Sequence, residues 1–201
     1  MSITINELYM EIRKKFRAAD ISMAELEARE LTAFVTKTDK RMTANWAYCY
    51  LDDNTVQKAR QMTERRLNHE PLAYILGEWD FYGYTFMVNK NVLIPRSDTE
   101  PLCQLAIEDA KTLENPKVID ICCGSGCIGL ALAAEVHNAR VVAVDISEDA
   151  LSVARENARR LEVTNRYSTS IGNALQKPDE HLGKFDIMLC NPPYITADEM
   201  K

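Results

Sequence analysis

The chain is 201 residues long, 46% hydrophobic and 27% charged, the composition of a soluble globular protein with room for one large domain or two small ones. It has no apolar run of about 18 residues, and its opening, MSITINELYMEIRKKF, lacks the apolar stretch of a secretory signal, so a cytoplasmic address is expected. The formal net charge of −6 falls mostly beyond residue 75, since residues 1–75 carry 12 Lys/Arg and 11 Asp/Glu, and this acidity excludes a general attraction for nucleic-acid phosphates.

The first part reads as helices. Ile5, Leu8, Ile12 and Phe16 recur at steps of three and four, which predicts an amphipathic helix. Ser22 and Glu25 have the spacing of a capping box that would start a second helix running through Val35. A short third helix is expected to hold Trp46, Tyr48 and Leu51. A fourth would carry Val56, Ala59, Met62 and Leu67 and stop before Pro71. Two basic clusters, Lys14-Lys15-Arg17 and Arg60-Arg65-Arg66, read as solvated helix faces in preference to docking sites for an acidic partner.

After residue 75 the pattern changes. Phe81 to Val88 is aromatic and β-branched, Asn89-Lys90-Asn91 is a polar turn, and Val92-Leu93-Ile94 is apolar again, which predicts a β-hairpin linking two domains. Ser97 or Asp98 would then cap a helix through Leu105 to Leu113. From Lys117 strands and helices alternate: Val118 to Ile121, a turn at Gly124-Ser125-Gly126, a helix from Ile128 to Val136, and a strand from Arg140 to Asp145. A helix capped by Ser147 runs to Leu161, and strands follow at Tyr167 to Ile171 and Phe185 to Cys190. Such alternation gives an α/β fold with a parallel sheet and right-handed crossovers. The expected domains are 1–75, a helical recognition domain; 76–96, a hairpin linker; and 97–201, the α/β domain. Of the six cysteines, Cys122, Cys123, Cys127 and Cys190 fall in or beside apolar strand-like segments and read as buried free thiols. With His137 and His181 isolated, a metal site is not expected.

Ligands of a parallel α/β sheet sit beyond the carboxyl ends of its strands. Four segments belong there. Cys122-Cys123-Gly124-Ser125-Gly126 is a turn of small residues between strand and helix, where a ligand can approach the backbone. Asp145 ends the next strand, where a carboxylate can accept hydrogen bonds from both hydroxyls of a ribose, so a nucleoside-containing cofactor is implied. A dinucleotide fingerprint is not, because Cys122 and Cys127 stand where it needs glycine. Asn173-Ala174, after the third strand, offers an amide to an adenine edge or is simply a turn. Asn191-Pro192-Pro193-Tyr194 presents an Asn side-chain oxygen beside a proline carbonyl, with no competing proline N–H, and an aromatic ring to cover a planar group. That set suits an amino nucleophile with a delocalised lone pair, either an amide or the exocyclic amine of a base.

These motifs carry a resemblance. EPLAYILGEWDFYG, VLIPRSDTEPL, VIDICCGSGCIGLALA, VVAVDISEDAL and NPPY resemble, in order, segments of the HemK family of protein-(glutamine-N5) methyltransferases, over residues 70 to 195. The resemblance implies a Rossmann-like class I methyltransferase domain behind a helical domain and a hairpin. It implies S-adenosylmethionine as cofactor and, as substrate, the glutamine of the Gly-Gly-Gln motif in peptide chain release factors. It places the methionine end of the cofactor at Cys122 to Gly126, the ribose at Asp145, the adenine near Asn173 and Ala174, and the substrate glutamine at Asn191 to Tyr194, beside the transferred methyl. Two positions depart from the family pattern: Cys122 and Cys123 replace the first Gly and the Thr of Gly-Thr-Gly-Ser-Gly, and Asn173 stands where the family usually has Asp.

Family members continue past NPPY through further strands, so the chain reads as a C-terminally truncated member with only the first four strands. Ile187, Met188 and Leu189 are then expected on a bare apolar edge, through which the chain would dimerise. Two other functions fit the same residues: adenine-N6 methylation of nucleic acid, and a non-catalytic fragment that binds a release factor. The charge and the LIPRSDTE segment disfavour the first of these.

Overall fold

The computed structural model describes residues 3–38, 47–177 and 180–192. The chain divides into two compact units, Met1–Leu76 and Gly77–Lys201.

The first unit is helical: α1 (Ile5–Ala18), α2 (Ala24–Thr36), α3 (Asp53–Leu67) and the short α4 (Leu72–Leu76). Leu8, Ile12, Phe16, Ala28, Leu31, Ala59 and Met62 form its core, as a period of 3.6 requires. The capping box lies at Thr4 and Glu7, where the Thr4 hydroxyl accepts from Glu7 N and the Glu7 carboxylate accepts from Thr4 N. It does not lie at Ser22 and Glu25: α2 begins at Ala24 without a side-chain cap, and Glu25 is drawn away into an ion pair with Arg17. The expected third helix is absent from residues 47–52, and Trp46 lies outside the described residues. Carbonyls of Ala47 and Cys49 instead accept from Asn6 N and Ile5 N, N–H groups of the first turn of α1 that have no partner within the helix, and Tyr50 bridges Thr4. The basic clusters lie on solvated helix faces, as expected, and most of their charges are paired there: Lys15 with Glu64 and Arg60 with Glu11 join α1 to α3, Arg66 with Glu27 joins α2 to α3, and Arg65 pairs with Glu70 just beyond α3.

The second unit opens with a hairpin, β1 (Glu78–Phe81) and β2 (Tyr84–Met87). Its turn is Tyr82-Gly83, both at positive φ (50° and 79°), the two-residue geometry whose twist matches paired strands. Asn89 to Asn91 makes a separate turn closed by Asn91 N donating to Asn89 Oδ1, and Val92 to Ile94 is not a strand. The buried Asn157 of α7 (Glu148–Arg160) holds this hairpin: its Oδ1 accepts from Met87 N at 2.7 Å, and its Nδ2 donates to the carbonyls of Met87 and Ser125.

A 3-10 turn (Ser97–Thr99) leads into α5 (Glu100–Lys111), then β3 (Lys117–Ile121), α6 (Cys127–Glu135), β4 (Arg140–Asp145), α7, β5 (Tyr167–Ile171) and β6 (Ile187–Cys190). The sheet is parallel, in the order β5-β4-β3-β6. Val118, Leu130, Leu132, Val141, Ala143, Leu151 and Leu189 belong to one buried cluster with Phe81 and Phe86 of the hairpin. The apolar border expected on β6 is therefore only partial: Leu189 is buried in this core, Ile187 packs against it, and Met188, on the other face of the pleat, is exposed. Cys190 is exposed for the same reason, not buried as its apolar surroundings in sequence suggested. Among the described residues no helix is long and apolar enough to cross a membrane.

Candidate active site

From β3 the chain steps outward through β4 to β5, then returns to lay β6 on the other side of β3. The strand order reverses between β3 and β6, and this opens a crevice at their carboxyl ends. Ile121 and Cys190 are register partners there, so the loop of residues 122–126 and the Asn191-Pro192 segment leave adjacent strands side by side.

The first loop is tightly curled. Cys122, Gly124 and Gly126 all have positive φ (59°, 54° and 78°), and Gly126 N donates back to Cys123 O at 2.8 Å. Gly126 has no substitute: a Cβ there would lie 2.5 Å from the Tyr167 hydroxyl and 2.9 Å from Leu130. Over Gly124 the space is open, with nothing within 4 Å of a Cβ position, so a ligand can approach the backbone at this point.

Asp145 ties the neighbouring loops together. Its Oδ2 accepts from Gly124 N at 2.9 Å, its Oδ1 accepts from Ser147 N at 3.0 Å, and its carbonyl accepts from Gly172 N. Each carboxylate oxygen can accept a further bond, which matches the two vicinal hydroxyls of a ribose. Beyond Gly172, Asn173 Oδ1 accepts from Leu175 N in a tight turn, so a contact with an adenine edge falls to its Nδ2 donor, and Ala174 is exposed. Next to these polar groups stand two apolar side chains that the sequence reading passed over, Ile146 (67% exposed) and Ile171 (64% exposed). They follow or end strands on the ligand side, and their exposure suits the face of a flat base. The available signal was a large apolar residue placed directly after the strand-ending Asp145.

Asp120 lies behind the loop. It is buried in β3, its Oδ2 accepts from Gly129 N at 3.1 Å, and its Oδ1 has no partner among the described residues. Burial pushes its pKa up to about 7; the Gly129 N–H opposes the shift and the charge of Asp145 adds to it.

Asn191 is half-buried at the end of β6, and its Nδ2 donates to the Thr99 hydroxyl at 3.2 Å. Thr99 ends the 3-10 turn, held by its own N–H to Arg96 O. The PRSDTE segment thus reaches the mouth of β6, a neighbourhood that no local pattern announced. With Nδ2 engaged, Asn191 Oδ1 is left as an acceptor, and the exposed Pro192 follows it. Pro193 and Tyr194 lie outside the described residues. The fold brings together Cys122 to Gly126, Asp145 and Asn191-Pro192 around the switch point, and Gly172 links Asn173 and Ala174 to Asp145.

Comparison with known proteins matches residues 7–77 to the PrmC N-terminal domain and residues 112–199 to a methyltransferase domain. A bifunctional methyltransferase of Rickettsia felis is 36% identical over 99% of this chain and 42% of its own length. A release factor glutamine methyltransferase of Clostridium acetobutylicum is 35% identical over 87% of this chain and 61% of its own. One of the same name from Fusobacterium nucleatum is 40% identical over 71% of this chain and 40% of its own. The chain therefore spans between two-fifths and about three-fifths of the length of these relatives.

Proposed function

We propose that this chain, which belongs to the methyltransferases that carry a PrmC N-terminal domain ahead of the methyltransferase domain, moves a methyl group from S-adenosylmethionine to the side-chain amide nitrogen of a glutamine in a peptide chain release factor. The observation that carries this reading is the placement of Asn191, whose side-chain oxygen has no partner among the described residues, one strand away from the curled loop, which is itself bonded to Asp145 on the next strand. Two of the relatives described above bear the corresponding name.

The site fits the cofactor. The open backbone at Gly124 takes the methionine end, Asp145 the ribose hydroxyls, and Ile146 with the Asn173-Ala174 loop the adenine. S-adenosylmethionine supplies a methyl already activated on a sulfonium sulfur. The protein has to hold the amide nitrogen in line with it. Asn191 Oδ1 and the Pro192 carbonyl accept the two N–H bonds of the substrate amide and favour the positive charge that builds on nitrogen. The helical unit is the part assigned to recognising the release factor.

The test is calorimetric titration with S-adenosylmethionine, followed by transfer of labelled methyl to a release factor, with the same factor carrying Gln→Ala in its Gly-Gly-Gln motif as control. Label appearing only on the intact motif supports the reading. Label on an adenine-containing oligonucleotide in its place overturns the substrate.

A further inference from the structure

Cys122 departs from ordinary strand geometry. In a regular parallel pair Ile121 and Cys190 are opposite, and residue 122 would point its side chain to the other face of the sheet. Its φ of 59° breaks that alternation, a conformation seldom adopted by residues other than glycine, Asn and Asp. The consequence is that the Cys122 thiol has the Cys190 thiol as its neighbour. Cys123 goes elsewhere: it is buried, with its Sγ directed to the Gly124 carbonyl. Cys103 is also buried, whereas Cys190 is exposed and Cys122 half-exposed. Two accessible thiols are therefore neighbours at the switch point of the sheet, Cys122 standing one residue beyond Ile121, the register partner of Cys190 on the adjacent strand.

We propose that Cys122 and Cys190 form a redox-active dithiol that a hydroperoxide closes to a disulfide across the mouth of the β3–β6 crevice. The exposed Cys190 thiol gives up its proton and its sulfur attacks one oxygen of hydrogen peroxide; the O–O bond breaks, the departing hydroxide takes up that proton and leaves as water, and Cys190 becomes a sulfenic acid. Cys122 sulfur then attacks the Cys190 sulfur, the S–O bond breaks, and the hydroxide takes the Cys122 proton and leaves as a second water. The two thiols lose two electrons and two protons in all, and the peroxide gains them. The order of attack follows from environment: burial, the neighbouring thiol and the charge of Asp145 raise the Cys122 pKa to about 11, so Cys122 resolves rather than initiates. Closure draws the curled loop to the end of β6. On the cofactor assignment made above, on which this consequence rests, it narrows the place where the methionine end sits.

The experiment treats the reduced chain with one equivalent of hydrogen peroxide and reads intact mass, thiol content and disulfide-linked peptides. S-adenosylmethionine is then titrated before oxidation, after it, and after dithiothreitol. The expected result is loss of two hydrogens, a single Cys122–Cys190 linkage, and affinity lowered by roughly tenfold or more and restored by reduction. Cys190→Ser forms no internal linkage, and its affinity does not respond to peroxide. Linkage through any other pair, or sulfinic acid at Cys190 with no linkage, overturns the proposal. A reduced chain that binds no S-adenosylmethionine counts against the cofactor assignment alone, since the linkage is read by mass.

Discussion

The Asn191 amide nitrogen and the Thr99 hydroxyl oxygen, 92 residues apart in sequence, lie 3.2 Å from each other. This bond engages the amide nitrogen and leaves the oxygen, which on the proposed function accepts from the substrate amide. Thr99 is on this basis a positioning residue. Thr99→Val should lower kcat by roughly tenfold while the dissociation constant of S-adenosylmethionine and KM for the release factor stay close to wild type. Thr99→Ser, which keeps the hydroxyl, should recover most of the loss. A fall in KM-dependent terms alone, or no rescue by Ser, would count against the role.

On the proposed function, Asn191 and Asp145 act on different quantities. Asn191→Ala removes an acceptor used as charge builds on the attacking nitrogen, so turnover should drop by about 100-fold or more with cofactor affinity nearly unchanged. Asp145→Ala removes charge-assisted bonds to the ribose and should weaken cofactor binding by about 2 kcal/mol. Calorimetry and single-turnover transfer on the two variants separate these effects. Equal loss of both quantities in both variants would sink the division of labour.

Asp120 makes stability depend on pH in an unusual direction. Its folded pKa is raised to about 7 from the ordinary carboxyl value of 3.8, so between those values the folded chain keeps a proton that the unfolded chain has released. Stability contributed by this group is thus complete below about pH 4, falls as pH rises, and is lost above about pH 7. The shift sets an upper bound on the order of 4 kcal/mol. Urea unfolding of wild type and Asp120→Asn at pH 5 and pH 8 isolates it: the variant should gain on wild type at the higher pH. Parallel pH dependence of the two proteins would show that Asp120 binds protons equally in the folded and unfolded chains over this range, and would sink the raised pKa.

Asn157 tests how a buried polar group holds the hairpin. It serves Met87 N, Met87 O and Ser125 O from the buried face of α7. Asn157→Ala strands these groups and should cost about 2–3 kcal/mol, while Asn157→Asp, which keeps the acceptor but loses the donors, should cost less at acid pH than at neutral pH. Thermal unfolding followed at Trp79, in β1, reports it.

Within this chain, local chemistry was legible wherever the cause was local. Runs such as Val118 to Ile121 and Val141 to Val144 announced strands, and the period of Ile5, Leu8, Ile12 and Phe16 announced a buried helix face, because side-chain alternation follows directly from backbone geometry. The loop of small residues, Asp145 and Asn191 were visible as strand-ending residue types. Where distant groups compete, the local reading failed: Glu25 left its cap for Arg17, residues 47–50 met α1 instead of forming a helix, and the hairpin turned at Tyr82-Gly83, where Gly83 supplies positive φ and Tyr82 is held in it, and not at the polar run 89–91.

What the sequence by itself determined was the succession of elements and the residue types at their ends. What only the tertiary structure decided was which ends meet: the return of β6 to the far side of β3, the Thr99 hydroxyl beneath Asn191, Asn157 under the hairpin, and the Cys122 thiol beside Cys190. Hydrophobic period and turn chemistry act over a few residues, whereas strand order and buried hydrogen bonds are set by closing one core over segments tens of residues apart.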